Sequence, residues 1–299
     1  MRPLRRHEDS PARVKNARRG LTVAGLAVAC VAVLSGCGTA VERGFLPHGV
    51  TENAAKVQSL WNGAWIAALG VGVLVWGLTV WCVVRYRRKK DDVGLPEQMR
   101  YNVPIEILYT VVPVFMVAVL FAHTVKDESA LMDVSKKPDV TINVVAKQWS
   151  WDFNYVNANT YEAGTHVHLT GKPGVEKTLP TLWLPVNKRV EFILTSRDVI
   201  HSFWVPQFLQ KLDVLPGQVN RFQVVTTEKG MYQGKCAELC GAYHSEMLFR
   251  VKVTSEADYQ QHLKSLKAQG NNGLLSNSLS REGIIGRDQQ YLPPNDGSK

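Results

Sequence analysis

The 299 residues are 45% hydrophobic and 20% charged, with five cysteines and a formal net charge of +9. Residues 1–36 hold seven Arg/Lys against two acids, a net +5, which leaves only +4 for residues 37–299; no basic face remains for phosphates, and a nucleic-acid partner is excluded. Two uncharged stretches, 57–84 and 107–125, are long enough to cross a bilayer and exclude an ordinary cytosolic enzyme.

The chain opens on Arg2, Arg5, Arg6, Arg13, Lys15, Arg18 and Arg19, continues apolar from Leu21 to Leu34, and turns small at Ser35, Gly36 and Cys37. This is the layout of a secretory signal over 1–36. Leu34-Ser35-Gly36-Cys37 resembles the bacterial lipobox, in which the cysteine becomes the lipid-modified first residue; an uncleaved helix or ordinary cleavage nearby are the alternatives. Residues 37–58 are expected to form an exported N-terminal segment, and residues 59–125 a transmembrane helical hairpin. Its first span, Gly63 to Val84, has Trp61 and Trp65 at one end and Trp81 at the other, as interfacial anchors would lie. Arg85-Tyr86-Arg87-Arg88-Lys89-Lys90 follows at once, and the positive-inside rule puts this loop in the cytoplasm. The second span runs from Pro104 to Val125, with Pro113 expected to kink it. Gly70, Gly72 and Gly77 would permit close helix packing or be neutral. Glu106, in the first turn of the second span, is either an acid favoured by a helix N-terminus or a proton-accepting group at a pathway mouth.

Residues 126–265 are expected outside the membrane. From 138 onward short runs of Val, Ile, Phe, Trp and Thr alternate with Gly, Pro and Asn without a long helical period, which predicts an antiparallel β-sandwich or barrel. Val140–Val145, Val190–Thr195, Val219–Val225 and Leu248–Val253 are the clearest strands, and Val190-Glu191-Phe192 and Phe249-Arg250-Val251 alternate in and out. The segment 266–299, poor in large apolar residues, reads as a disordered or loosely attached tail.

The strongest chemical signal is Cys236-Ala237-Glu238-Leu239-Cys240-Gly241-Ala242-Tyr243-His244-Ser245-Glu246-Met247, two thiols, an imidazole and a thioether in twelve residues, with His201 upstream. Thiolate and thioether are soft donors suited to copper, and imidazole suits it as well. A mononuclear blue-copper site needs one thiolate fewer, whereas two bridging thiolates with one His for each metal fit a dinuclear copper centre. A Cys236–Cys240 disulfide or a zinc site of two Cys and two His would use part of the set and leave Met247 without a role. His166 and His168 have no soft donor near them in sequence and read as surface residues.

With these residues in place, positions 55 to 260 resemble subunit II of the bacterial haem-copper cytochrome c oxidases. The resemblance implies a two-helix transmembrane hairpin followed by an all-β, cupredoxin-like sandwich or barrel in the plasma membrane, with the domain on the outer face. It implies that His201, Cys236, Cys240, His244 and Met247 hold the dinuclear CuA centre, that the Glu238 carbonyl is a further ligand, and that the Glu238 side chain holds magnesium at the boundary with catalytic subunit I. Gln148-Trp149-Ser150-Trp151 matches the stretch where the family receives its electron, with Trp149 at the accepting position; the bland alternative is that both indoles are core. Glu106-Ile107-Leu108-Tyr109-Thr110-Val111-Val112-Pro113 matches the family's second span, whose acid lies at a proton-channel entrance. The intact ligand set implies cytochrome c, or a haem c domain, as donor rather than a quinol, and the absence of Cys-x-x-Cys-His from the sequence excludes a fused haem c domain. Oxygen chemistry would belong to the partner subunit, so the enzymatic label is that of the complex. A membrane-tethered copper-delivery protein is the reading of a different class, and the electron-transfer domain of a nitrous-oxide reductase a third; neither requires the two-span hairpin.

Overall fold

The computed structural model describes residues 38–89, 93–95 and 98–278. The signal segment 1–36, Cys37 and residues 279–299 lie outside the described residues. The chain divides into two compact units, 1–46 and 47–299. In the first, helix α1 (Gly38–Glu42) runs into a turn where the Arg43 guanidinium donates to the Leu46 carbonyl at 3.2 Å.

The uncharged stretches form α2 (Ala54–Arg85) and α3 (Val103–Leu131). At 1.5 Å per residue these helices are roughly 48 and 44 Å long, against about 30 Å of hydrocarbon. The expected bounds therefore move outward, through Lys56 at the start of α2 and through Lys126, Asp127 and Glu128 at the end of α3. Large apolar side chains point out on every side; Val73, Trp76 and Phe115 are 74%, 69% and 70% exposed. A helix apolar all round is matched to lipid. A Cβ built on Gly70, Gly72 or Gly77 meets nothing within 4 Å, so these glycines do not serve contact between the two helices. α3 continues through Pro113 as one helix. Its start is capped reciprocally: the Asn102 side chain accepts from the Ile105 N–H at 3.4 Å, and the Glu106 carboxylate accepts from the Asn102 N–H at 2.9 Å.

Both outer ends of the hairpin are fastened to the domain that follows. Ahead of α2, the Val50 N–H donates to the Gln207 carbonyl, Thr51 bridges Thr226, and Glu52 pairs with Arg189 at 2.8 Å. After α3, the side-chain amides of Gln210 and Gln223 donate to the carbonyls of Leu131 and Lys136. The basic segment after Arg85 is thereby left at the opposite end, in agreement with the charge rule.

The domain is a sandwich of two five-stranded sheets. One has the order β3 (Thr160–Glu162), β2 (Ser150–Tyr155), β1 (Val140–Lys147), β5 (Arg189–Ser196), β8 (Asn220–Val225); the other runs β4 (Thr181–Pro185), β10 (Leu248–Thr254), β9 (Gly230–Cys236), β6 (His201–Val205), β7 (Gln210–Val214). The sheets are mixed rather than purely antiparallel, because β1 pairs parallel with β5 and β4 with β10; hydropathy reports which face is buried and carries no strand direction. The predicted alternation holds at Val190-Glu191-Phe192 and Phe249-Arg250-Val251. Between the sheets Trp151, Phe153, Phe192, Phe203, Phe222 and Phe249 are buried, each contributing about 1.5–3 kcal/mol relative to exposure.

Two expectations need correction. A helix, α4 (Glu256–Ala268), follows β10, capped by the Ser255 side chain on the Asp258 N–H and burying Tyr259, Leu263 and Leu266. Their spacing is a helical period, too short to stand out among strands. The first part of the tail is attached: Asn154 and Leu275 exchange two hydrogen bonds of 2.8 and 2.9 Å, Asn272 bridges Thr160, and Asn277 is buried. These polar anchors account for the burial of Asn143 and Asn154, which face away from the apolar core.

Candidate metal centre

β9 and β10 form a hairpin whose connection is the loop from Cys236 to Met247. Its base is closed by the Cys236 N–H donating to the Met247 carbonyl at 3.0 Å, so the first and last donors of the loop meet although eleven positions separate them. β6 lies on the other side of β9, with Phe203 opposite Cys236. His201, two residues before Phe203, shares its face and enters the same space. At the far end of the loop a 3-10 turn, His244–Glu246, folds His244 back, its N–H donating to the Gly241 carbonyl.

The result is a chain of soft contacts. The Cys236 and Cys240 sulfurs are 3.8 Å apart; His201 Nδ1 lies 3.8 Å from Cys236, and His244 Nδ1 and Met247 Sδ lie 3.5 and 3.7 Å from Cys240. The Glu238 carbonyl oxygen is 3.2 Å from the Cys236 sulfur. Both thiols are free, well beyond the roughly 2.05 Å of a disulfide, which removes the disulfide alternative for this structure. One cation at an ordinary metal–thiolate distance of about 2.3 Å can touch both sulfurs. His201, Cys236, Cys240 and Met247 are at most 4% exposed, while His244 is half-buried and forms the solvent side. The donor set, two sulfurs, two imidazoles, a thioether and a carbonyl, fits copper, and zinc would leave the thioether idle.

The electrostatics suit a cation. The hydrogen bond from the Cys240 thiol holds the Cys236 thiol well below the ordinary thiol range, against the upward push of burial and with His201 assisting. The same bond, and then burial, push Cys240 up. The two thiols are thus pushed in opposite directions, and a cation held between them would favour the thiolate form of both.

Beneath the donors lies an aromatic floor: Trp151 packs on Phe203 and Phe249, and its indole N–H donates to the Met247 carbonyl at 3.3 Å. Asp198 is the functional residue that sequence reasoning missed. Its Oδ1 lies 2.7 Å from His201 Nε2, and its Oδ2 accepts from the Gln148 N–H at 2.7 Å. Burial raises its carboxyl, but these bonds and the Val199 N–H outweigh burial and hold it below the usual carboxylate range. The carboxylate fixes the imidazole with Nδ1 toward the sulfurs, as a carboxylate behind a ligating histidine does. Its position three residues ahead of His201 was the available signal.

Trp149 and Trp151 separate cleanly. Trp151 is core; Trp149, in the two-residue turn between β1 and β2, is half-buried, and its Nε1–H donates to the Cys240 carbonyl at 3.2 Å. The turn and the metal loop approach closely because position 241 is glycine: its φ is +122°, and a Cβ there would stand 3.0 Å from Gln148 Nε2 and 3.2 Å from the Trp149 ring. The Glu238 side chain is exposed and lies outside the ring of donors. Glu106, at the opposite end of α3, belongs to no part of this cluster. His166 and His168 lie in an irregular loop, and both reach Glu246, inside the metal loop.

Known proteins are similar to this chain in sequence. The family model described as cytochrome c oxidase subunit II, periplasmic domain, matches residues 140–254, and the corresponding transmembrane model matches residues 40–125. A probable cytochrome c oxidase subunit 2 of Streptomyces avermitilis is 50% identical over 264 residues, spanning 79% of this chain and 83% of that protein. The cytochrome c oxidase subunit 2 of Mycobacterium tuberculosis is 36% identical, spanning 82% and 81%. The crystal structure of the periplasmic domain of cytochrome oxidase subunit II of Bradyrhizobium japonicum is 29% identical with a TM-score of 0.42, covering 45% of this chain and 97% of that one.

Proposed function

Since the chain belongs to the cytochrome c oxidase subunit II family, the membrane-bound subunit II of a haem-copper oxidase, we propose that it accepts electrons from reduced cytochrome c at a dinuclear copper centre, CuA. It then passes them to haem in catalytic subunit I, where oxygen is reduced to water with proton pumping. His201, Cys236, Cys240, His244, Met247 and the Glu238 carbonyl hold the centre. The observation that carries this reading is the pair of buried free thiols 3.8 Å apart within a ring of two imidazoles and a thioether.

Copper bound there supplies a one-electron redox couple. The chain's own residues supply rigidity: the donors sit on a closed hairpin base and an aromatic floor, and Asp198 locks His201, so little has to move when charge changes. Trp149 offers a half-exposed indole to the donor and is joined to Cys240 by a single hydrogen bond. The Tyr243 ring packs on it with centroids 4.9 Å apart, and Leu239, next to Cys240 in the chain, is 77% exposed, which gives a donor apolar surface to dock on. The exposed Glu238 carboxylate is free to hold magnesium against subunit I. Glu106 stands at a proton-channel entrance, a role compatible with its capping bond because both need an acid at the start of α3. The hairpin lies in the bacterial plasma membrane with the sandwich on the outer face, and Cys37 carries the lipid after cleavage. The copper-delivery reading is not favoured, because metal delivery requires neither the hairpin nor the half-exposed indole beside the thiols.

The test is the copper content and electron paramagnetic spectrum of the full chain in detergent, reconstituted with copper. Two coppers per chain sharing one unpaired electron are expected. One copper with a mononuclear spectrum, or none with a Cys236–Cys240 disulfide, would overturn the proposal.

A further inference from the structure

Among the described residues, two clusters bring three or more metal-capable side chains within 4.8 Å of one another. One lies in the centre above; the other is His166, His168 and Glu246. We propose that this second cluster is a metal site in its own right, a two-imidazole, one-carboxylate site on the rim of the sulfur cluster that takes a divalent transition cation such as zinc.

The geometry is convergent. His166 Nε2 and His168 Nδ1 lie 2.9 and 3.1 Å from one and the same oxygen, Glu246 Oε2, and the other carboxylate oxygen accepts the Leu169 N–H at 3.3 Å. Ligand atoms around a tetrahedral cation with bonds of about 2.0–2.1 Å stand about 3.4 Å apart; the two imidazole–carboxylate distances lie within a few tenths of an ångström of that, and all three ligand atoms lie within 4.8 Å of one another. The three side chains are held from outside the cluster. The Gly164 N–H donates to Asp152 at 2.9 Å and the Ser150 hydroxyl to the Thr165 carbonyl at 2.9 Å, anchoring the loop just ahead of the histidines. Glu246 closes the 3-10 turn of the metal loop. The Tyr243 ring packs on both imidazoles, with centroids 4.8 and 5.4 Å away.

The donor types choose the ligand. Two neutral imidazoles and a carboxylate carry no sulfur, so the site disfavours the soft monovalent copper that suits the thiolates and favours divalent zinc or copper. The side chains are 22%, 65% and 21% exposed in residue order, which leaves coordination positions open to water. A cation here adds positive charge beside Trp149, whose ring centroid is 6.1 Å from that of His166. It also ties the turn between His244 and Met247 to the loop carrying the histidines. The site uses no thiol and does not depend on the copper assignment.

The experiment is a zinc titration of the full chain in detergent after copper loading, read by calorimetry and by zinc K-edge absorption. One further zinc ion per chain is expected, with nitrogen and oxygen neighbours at about 2.0–2.2 Å and no sulfur shell near about 2.3 Å. The His166→Ala/His168→Ala variant should bind that zinc roughly tenfold or more weakly, with copper content and spectrum unchanged as evidence that it folds. The Cys236→Ser/Cys240→Ser chain should keep the zinc site, so a failed copper assignment would not be mistaken for a failed rim site. Zinc uptake equal in the wild-type chain and the double-histidine variant, or a sulfur shell around the zinc, would overturn the proposal.

Discussion

The loop from Cys236 to Met247 feeds two clusters that face opposite surroundings. Cys236, Cys240 and Met247 turn inward onto Trp151 and Phe249 and meet His201 out of water. Glu246, the neighbour of Met247, turns outward and meets His166 and His168 at the surface. Adjacent residues on a tight turn point in different directions, so one short segment contributes sulfur to a dry site and oxygen to a wet one. Burial makes the first a largely dry, sulfur-rich environment, and exposure leaves the second open to water and to divalent transition cations.

If that contrast is correct, the largest effect comes from the sulfurs. Cys240→Ser should abolish the dinuclear copper signal while leaving zinc uptake at the rim unchanged, as copper analysis and paramagnetic resonance will show. Removing the floor is next: Phe249→Ala, at a fully buried position stacked on Phe203, should cost about 3–5 kcal/mol of domain stability in chemical denaturation. Asp198→Ala should weaken copper retention about 10- to 100-fold against a chelator, with Asp198→Asn less severe because it keeps one hydrogen bond to His201. Rim zinc binding should not respond to it; a parallel loss at both sites would mean that the two clusters are one coupled unit. Gly241→Ala forces a strained φ and crowds Trp149, and about 1–3 kcal/mol of lost stability is expected, with the indole fluorescence shifted as its bond to Cys240 breaks. The smallest effect concerns the tail: Asn154→Ala removes both hydrogen bonds to Leu275 and should cost about 1–3 kcal/mol, read as faster amide exchange at residues 271–278 with the metal centre intact.

The inward donors were legible in the sequence because four of them occupy one twelve-residue loop and their chemistry is restrictive: two thiols, an imidazole and a thioether suit few metals. The spans were legible because a bilayer demands uninterrupted apolar length, and the four clearest strands because β1, β5, β8 and β10 each bury a continuous or alternating face. Asp198 was harder to see, since carboxylates are common near histidines and only the fold aims this one at Nε2. His166 and His168 were read as plain surface residues because Glu246, their partner, is about 80 positions away and no local spacing encodes it. The attached tail escaped notice for a related reason: Asn154 and Asn272 hold it by backbone and side-chain hydrogen bonds, to which hydropathy is blind.

The sequence by itself determined the two apolar helices of the hairpin, the β character of the domain and the soft residues that the candidate site brings together, because solvent class and donor type are properties of side chains alone. The tertiary structure decided strand direction, the parting of Trp149 from Trp151, the lock on His201 and the meeting of Glu246 with two distant histidines. Each of these is a pairing between residues far apart in the chain, fixed only when β6, β9 and β10 align and the loops at their ends close over one another.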